Sequence, residues 1–361
     1  MFCGSCGSTL VKDDRFCRNC GKSAVEERAE ANGYPSAADS ATLVAAPPSS
    51  AQTAVARAVF VPAVAPSVAA QTTRIRVGHG AVVCVPEMNH PVRIAERAAV
   101  LDIISGGRLE FGTGRSATWT ELGGFNANVD VTKKTWDEFV HVIPQMWINE
   151  RFGYEGDFFS MPTRAVLPKP YQKPHPPMWV AVSSPGTEFD AADRGMGALG
   201  VNFTTFKEQE QRVQEYRRRI QNCTPAGAVV NDRLATANFL YCHEDSATGV
   251  DTGKRLIGTF QYLAGQLDMA KEAFPTKGYP SPGLLAATRR QASGPGDPGQ
   301  PPEGIAVGSP EQIIRELKKW EATGVDLVNF ILNAAEFVPQ EQVLDSLRLF
   351  AREVMPAFQE A

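Results

Sequence analysis

The chain has 361 residues, with 36 lysines and arginines against 40 aspartates and glutamates and a formal net charge of −4. This near balance argues against a polyanion-binding protein, and a composition of 43% hydrophobic and 21% charged residues excludes disorder of the whole chain. The odd total of seven cysteines argues against a secreted disulfide framework. No secretory signal is visible, and prolines interrupt the long apolar stretch, so we predict a cytoplasmic protein without a membrane span.

The first 22 residues carry the most specific local motif. Cys3 and Cys6 form one C-x-x-C pair, and Cys17 and Cys20 form a second. Two such pairs supply four thiolates, which is a common ligand set of structural Zn²⁺ sites. A segment this short cannot bury an apolar core, so metal binding would also drive its folding. We predict a zinc ribbon over residues 1–22, with a redox dithiol pair as the alternative.

The predicted ribbon resembles small zinc ribbons at the ends of many bacterial chains, which identifies a metal but no function. It could recruit an unknown protein partner. The case for nucleic acid is weak because it rests on four basic residues, Lys12, Arg15, Arg18 and Lys22. Residues 23–70 are rich in Ala, Pro, Ser and Val, which predicts a mostly disordered linker. Within it, residues 55–64 are apolar enough to form a strand.

Residues 71–361 alternate strand-like and helix-like segments about six times, which predicts a parallel α/β architecture. The predicted strands cover residues 74–85, 108–112, 178–182, 199–203, 234–242 and 325–332. The predicted helices cover residues 90–104, 131–148, 187–194, 207–221, 310–323 and 340–355. We also expect a hairpin around residues 154–158 and a helical region, interrupted by Gly and Pro, that follows residue 242. Because no complete G-x-G-x-x-G fingerprint occurs, we favour a TIM-type (β/α) barrel over a doubly wound sheet.

Two turns that follow predicted strands carry candidate anion-binding residues. The first turn is GTGRS and contains Gly114 and Arg115. The second turn is SSPGT and contains Ser183, Ser184, Gly186 and Thr187. Glycines let the backbone approach a ligand, arginine pairs with phosphate, and amides at a helix start bind anions. In a barrel, both turns lie at the carboxyl ends of the strands, where active sites form, although each also fits a simple turn and helix cap.

Several runs of this sequence together resemble the bacterial luciferase-like monooxygenases. They are TTRIRVGHGAVVCVP, HPVRIAERAAVLDIISGGRLEFGTGR, YEGDFFSMP, VLPKPYQKPHPPMWVAVSSPGT and GSPEQIIRELKKWEATGVDLVNFIL. The resemblance extends over residues 70–358, about four fifths of the chain. It implies a TIM-type barrel that uses reduced flavin mononucleotide (FMN) or, in some branches, the deazaflavin coenzyme F-420. It also implies O₂ as co-substrate and a small organic molecule, such as an aldehyde or ketone, as substrate.

The resemblance assigns roles to the candidate residues. The flavin phosphate would be held by Arg115 together with the turn from Ser183 to Thr187. A bulge or a non-prolyl cis bond would lie beneath the flavin ring near Gly80 and Ala81. His79 would lie beside the ring as a candidate catalytic residue, with a strand-end histidine that only bonds locally as the alternative.

The resemblance is incomplete at its start, because the ribbon and linker stand where the first two barrel strands would be. Three explanations remain open: the linker supplies a crude first strand, a partner chain closes the barrel, or the gene is a truncated fusion with impaired activity. A homodimer, which is common in the family, would help to cover the exposed barrel surface. The sequence thus predicts a flavin-dependent monooxygenase with an accessory zinc ribbon. The alternative is a catalytically impaired luciferase-like remnant that acts as a zinc-ribbon interaction protein.

Overall fold

The computed structural model describes residues 59–60, 65–116, 119–183, 186–200, 205–272, 302–333 and 336–358. The predicted zinc ligands Cys3, Cys6, Cys17 and Cys20 lie outside these residues, as does Ser184. Within the described ranges, no helix is both long and apolar enough to cross a bilayer.

In the described part of the chain, nine strands form one parallel sheet and two form an antiparallel hairpin. The strands are β1 (Val59–Phe60), β2 (Val77–Gly78), β3 (Val82–Val83), β4 (Leu109–Gly114), β5 (Phe152–Glu155), β6 (Ser160–Arg164), β7 (Met178–Val182), β8 (Gly197–Gly200), β9 (Leu234–Cys242), β10 (Ala306–Gly308) and β11 (Leu327–Ile331). The hairpin consists of β5 and β6, at the position that the sequence predicts.

Helices follow most strands of the sheet, as expected for parallel strands that need crossover connections. They are α1 (Ala65–Gln71), α2 (Pro91–Ile104), α3 (Trp119–Gly124), α4 (Thr132–Ile148), α5 (Thr187–Asp193), α6 (Phe206–Ile220), α7 (Ser246–Glu272), α8 (Pro310–Ala322) and α9 (Gln340–Leu349). Capping boxes at Thr205 and Ser309 fix the starts of α6 and α8.

The sheet has the strand order β1-β2-β4-β7-β8-β9-β10, with β3 paired to β4 and β11 paired to β9. Among the described strands, β1 at one edge does not pair with β10 or β11, so the sheet forms a half-barrel rather than a closed barrel. The predicted α/β barrel-type architecture is therefore confirmed. The crude strand expected within residues 55–64 is β1, which extends the incomplete edge by two residues.

Some element boundaries differ from the sequence prediction. The predicted strand over residues 74–85 is two short strands, β2 and β3, because the segment has one residue more than β4 between Gly78 and Val82, which interrupts the regular pairing. The helix α1 overlaps the last six residues of the range predicted as linker. The strand predicted over residues 199–203 begins earlier, at Gly197. The helix α2 starts as expected, with Pro91 in its first turn and the Val92 amide donating to His90 Nδ1 at 3.3 Å.

The two faces of the sheet can be followed from strand register, because successive side chains in a strand point to opposite faces. We call the face covered by α4 the outer face. It carries Phe111, whose ring meets Trp147 of α4 edge-on at 5.1 Å, and Thr113, whose Oγ1 accepts from Trp136 Nε1 at 3.0 Å. The opposite, inner face therefore carries Gly112 and the residues in line with it.

The inner face can be traced across the sheet. Gly112 pairs with Trp179 of β7, and Ala181 on that strand pairs with Leu199 of β8, which in turn pairs with Ala235 of β9. Four residues along β9, Phe239 is on the same face, where its ring packs against Phe260 of α7 at 5.3 Å. The helix α7 therefore covers the inner face of β9.

The amino end of the inner face holds a buried ionic cluster. Glu110 accepts a hydrogen bond from Trp179 Nε1 at 2.7 Å and from Arg233 Nη2 at 3.1 Å, and it also pairs with Arg76 Nε. The Arg233 guanidinium lies 5.3 Å over the Trp179 ring. A buried carboxylate requires such partners, and this one ties together the segments around β2, β4, β7 and the start of β9.

Candidate functional site

The carboxyl half of the inner face has a floor of small residues, formed by Ala81, Gly114 and Ala181. A Cβ atom placed on Gly114 would lie 3.3 Å from the Ala81 Cβ and 3.6 Å from the Ala181 Cβ. Three neighbouring segments therefore present almost no side-chain volume at this point. Such a floor leaves room for a flat ligand at the end of the sheet where α/β proteins bind their ligands.

A second glycine, Gly112, lets two chain segments approach closely. A Cβ on Gly112 would collide with the carbonyl oxygen of His79, so no larger residue fits without moving the backbone. The His79 amide donates to the Glu110 carbonyl at 3.2 Å, which holds the segment against β4. The peptide bond between Gly80 and Ala81 is cis, at the position that the resemblance implied.

The side chain and the carbonyl oxygen of His79 point to opposite faces of the sheet. Its imidazole meets the Phe111 ring edge-on at 6.0 Å, and Phe111 belongs to the outer face. Burial, and secondly the charge of Arg97, lowers the pKa of His79 to about 4. The imidazole is therefore neutral at physiological pH and lies on the opposite face from the Gly114 floor.

The turn after β4 directs a half-buried cation toward α4 and α5. Arg115 Nη1 donates to Thr132 Oγ1 at 3.2 Å, at the start of α4. Burial lowers the pKa of the Arg115 guanidinium, and the Asp190 carboxylate of α5 opposes that shift. Asp190 also pairs with Lys133 at 2.7 Å. No sequence motif marks the residues around Arg115, so sequence reasoning missed them: Thr132, Lys133 and Asp190.

The turn after β7 is adjacent to the Arg115 turn because β4 and β7 are neighbouring strands. Ser183 is exposed, and Gly186 has a left-handed φ of 89° that favours glycine. The Gly186 amide donates to Glu188 Oε2 at 3.0 Å, and Glu188 Oε1 pairs with Arg212 at 3.1 Å. A carboxylate of the protein therefore already uses one amide of this turn, while Thr187 begins α5.

Sequence reasoning missed one polar group on the inner face. Asn329 of β11 pairs in register with Ala237 of β9, two residues beyond Ala235. Its Nδ2 atom is buried and has no hydrogen-bond partner. No local motif marks this residue, and only the register of β11 against β9 reveals which face it occupies.

A cavity of about 470 Å³ lies between α1, α2 and the segment that follows β2. Of the candidate residues, His79 and Ala81 line this cavity, whereas Gly114 and Arg115 do not. Its remaining lining is mostly apolar and includes Pro66, Val82, Ile94 and Val100. The structure thus separates the His79 imidazole from the two turns that the sequence grouped with it.

The cysteines of the described region have no metal-binding arrangement. No group of three or more His, Cys, Asp or Glu side chains in the described ranges could hold a metal ion. Burial raises the pKa values of Cys84 and Cys242 to about 12, so both thiols stay protonated at neutral pH. Because the thiolate is the reactive form, these two cysteines are inert packing residues.

Comparisons with known proteins agree on one family. The family model described as luciferase-like monooxygenase matches residues 25–327. The oxygenase component of the flavin-dependent trigonelline monooxygenase from Acinetobacter baylyi is 24% identical over 298 residues, covering 81% of this chain and 78% of that protein.

Two solved structures illustrate the similarity in fold. Monooxygenase RslO1 from Streptomyces bottropensis has a TM-score of 0.62 at 23% identity, covering 82% of each chain. The coenzyme F420-dependent tetrahydromethanopterin reductase from Methanopyrus kandleri has a TM-score of 0.59 at 19% identity, covering 82% of this chain and 87% of that one.

Proposed function

The chain belongs to the luciferase-like monooxygenase family, and we propose that it is a flavin-dependent monooxygenase that oxidises a small organic substrate with O₂. The observation that carries this proposal is the small-residue floor of Ala81, Gly114 and Ala181 beside the half-buried Arg115. A flat ring system fits such a floor, and a cation at its rim suits a phosphate group. The similarity to the flavin-dependent enzyme from Acinetobacter baylyi supports the same assignment.

The residues present fit FMN at the carboxyl end of the inner face. Arg115 would pair with the phosphate, and the turn containing Ser183, Ser184, Gly186 and Thr187 would supply hydroxyl and amide donors. Gly80, Ala81 and Gly114 would lie beneath the ring. A side chain on Gly114 would occupy the space over this floor, which explains why glycine is suited to that position.

When bound, reduced flavin would supply the activation of O₂ and the transfer of one oxygen atom to the substrate. The chain's own residues would bind and orient the reactants and exclude water. The helices α3 and α7 touch each other and flank the carboxyl end of the half-barrel, so they are placed to limit water entry. His79 remains a proposed catalytic residue, but its imidazole would have to act from the outer face.

We propose FMN as the cofactor and the deazaflavin F-420 as the alternative. The similarity to a flavin-dependent monooxygenase favours the first, and the similarity to an F420-dependent reductase keeps the second open. Both cofactors carry phosphate and a related ring, so the floor and Arg115 suit either one. Parallel titrations of the purified chain with the two cofactors distinguish them by affinity.

The central experiment is an FMN titration followed by flavin fluorescence, with oxygen consumption measured after reduction of the bound flavin. Replacing Arg115 by Ala should weaken FMN binding at least tenfold, because it removes the cation proposed to pair with the phosphate. Arg93→Ala is the matched control, since Arg93 is an exposed arginine paired with Glu96 on α2. Absence of FMN and F-420 binding by the wild-type chain would refute the proposal.

We further propose that Cys3, Cys6, Cys17 and Cys20 bind one Zn²⁺ ion. The support is their paired C-x-x-C spacing in the sequence. Metal analysis of the purified chain should give about one zinc per chain, and Cys3→Ser with Cys6→Ser should remove it. Zinc without flavin affinity would favour the alternative, an interaction protein in which the barrel is a remnant.

A further inference from the structure

We propose that the Asp190 carboxylate sets the affinity for the flavin phosphate by competing with that phosphate for two cations, Arg115 and Lys133. This inference rests on the proposed function and adds to it a residue that weakens binding rather than one that supplies it. It follows from the ion pairs around the Arg115 turn, from the exposure of the side chains involved and from the charge that they carry together.

Arg115 and Asp190 are brought together by two neighbouring strands. Arg115 follows β4, Asp190 is on α5 after β7, and β4 pairs with β7. Arg115 Nη1 donates to Thr132 Oγ1 at 3.2 Å. Lys133, the next residue of α4, pairs with Asp190 Oδ2 at 2.7 Å. Two consecutive residues of α4 thus join the guanidinium and the carboxylate in one group of side chains.

The charge of Asp190 acts on Arg115. Burial lowers the pKa of the Arg115 guanidinium, and the carboxylate of Asp190 counteracts this shift. A carboxylate stabilises the charged form of a guanidinium only when it lies close enough for its field to be felt. The same field repels any other anion, so Asp190 opposes a phosphate that approaches Arg115.

The pair of Asp190 and Lys133 is open to a ligand. The Lys133 side chain is 60% exposed and the Asp190 side chain is 30% exposed. An exposed ion pair contributes little to stability, because water and salt screen it and a long side chain must be held in place. An incoming phosphate can therefore replace Asp190 as the partner of Lys133 at a small cost to the fold.

The cations around the Arg115 turn exceed the carboxylates by one. Lys133 pairs with Asp190, and Arg194 pairs with Asp137 at 2.6 Å. Arg115 is the third cation of the group, and it bonds to a neutral hydroxyl. A phosphate monoester carries about 1.5 to 2 negative charges at neutral pH, which is more than one cation neutralises. Lys133 supplies the second positive charge only when it leaves Asp190, so the carboxylate and the phosphate compete.

The test replaces Asp190 by Asn, which has the same size and no charge. We expect the dissociation constant for FMN to fall about three- to tenfold, because the repulsion is removed and Lys133 is released. Riboflavin lacks the phosphate and should bind to the variant and the wild type equally. The gain for FMN should shrink between about 0.05 M and about 0.5 M salt. A residue that only holds α5 in place would produce neither the phosphate selectivity nor the salt dependence.

The variant Lys133→Ala tests the second cation. It should raise the dissociation constant for FMN about threefold, because it leaves the Asp190 carboxylate without its partner near the phosphate. Adding Asp190→Asn to Lys133→Ala removes one positive and one negative charge together. The double variant should therefore bind FMN within about twofold of the wild type. A double variant that binds as weakly as Lys133→Ala alone would contradict the competition.

Asp193→Asn is the matched control. Asp193 ends the same helix but pairs with Arg219 of α6 at 3.0 Å, so its variant should bind FMN as the wild type does. The inference is wrong if folded Asp190→Asn gains no FMN affinity, or if riboflavin or Asp193→Asn shows the same gain. Weaker FMN binding by Arg115→Ala would then leave the proposed function standing. If the wild type binds neither FMN nor F-420, the proposed function fails and the inference fails with it.

Discussion

The inner face of the half-barrel carries small side chains around β4 and large ones around β9. Around β3, β4 and β7 it carries Ala81, Gly114 and Ala181, which leave space above the sheet. Around β9 and β11 it carries Phe239 and Ile331, which pack together with α7 in an apolar cluster. The same face of one sheet therefore serves as an open floor in one region and as core in the other.

Within one fold and on one face, side-chain volume leaves space above the sheet in one region and fills it in the other. Both regions are built from parallel strands in continuous register. Large side chains at the β9 end are covered by a helix, whereas small ones at the β4 end leave the floor uncovered. Substitutions that remove volume from the packed region should mainly change stability, whereas those that add volume to the floor should mainly change ligand binding.

The largest effect is expected in the packed region. Phe239→Ala should lower the free energy of unfolding by about 4 kcal/mol, because it removes a buried ring and leaves a cavity beneath Phe260. Chemical denaturation measures this loss. FMN affinity of the folded variant should stay within threefold, and a binding defect without destabilisation would contradict the assignment of this region to the core.

The next largest effect is expected at Gly112, where β4 approaches the His79 segment closely. Gly112→Ala should lower the free energy of unfolding by about 3 kcal/mol, since its Cβ would collide with the backbone carbonyl of His79 and force that segment away from β4. Gly124→Ala is the control, because nothing lies within 4 Å of a Cβ built there. Equal denaturation midpoints for these two variants would show that the approach is looser than described.

A pH effect of intermediate size is expected from His79. Its pKa of about 4 lies below the ordinary value of 6.5, so the folded state binds fewer protons than the unfolded state between these values. Its contribution to stability is complete above pH 6.5 and is lost as the pH falls toward 4. In His79→Leu this acid-dependent loss, about 3 kcal/mol, should disappear from denaturation curves recorded between pH 7 and pH 4. If the variant loses stability at low pH as the wild type does, another histidine is responsible. The buried His175 is such a group, because burial lowers its pKa as well.

The smallest effect on stability is expected at the floor itself. Gly114→Val should lower the free energy of unfolding by only about 1 kcal/mol, because the neighbouring Cβ atoms lie at 3.3 and 3.6 Å. It should nevertheless weaken FMN binding at least tenfold by filling the space above the floor. Gly258→Ala in α7 offers a control with open space, and it should slightly stabilise the chain. Unchanged FMN affinity in Gly114→Val would show that the floor is not part of the proposed flavin site.

Much of the fold could be predicted because its pattern is local. The strands β7 and β9 have the predicted boundaries, since both consist mostly of apolar and β-branched residues. The sequence predicts a helical region interrupted by Gly and Pro from residue 242 to about residue 302, and its described part is the helix α7. In the structure, Gly249 and Gly253 allow α7 to approach Gly308 and Val307, so they serve packing between the helix and β10. The strand β10 was not predicted, because it is only three residues long and ends in a glycine.

The candidate site was less predictable than the fold. The glycine and arginine of the first turn could be identified, because their chemistry is visible in five consecutive residues. The face on which the His79 imidazole lies could not, since it depends on how the chain passes from β2 to β3. The unpaired amide of Asn329 depends on register between strands that are distant in sequence.

The ionic cluster at the amino end also bears on how firmly the floor is held. Glu110 is almost fully buried, and its partners come from three different segments: Arg76 before β2, Trp179 of β7 and Arg233 before β9. The segments that carry the floor are thereby tied to one another at their amino ends. A ligand on the floor would rest on a part of the sheet whose curvature is fixed from below.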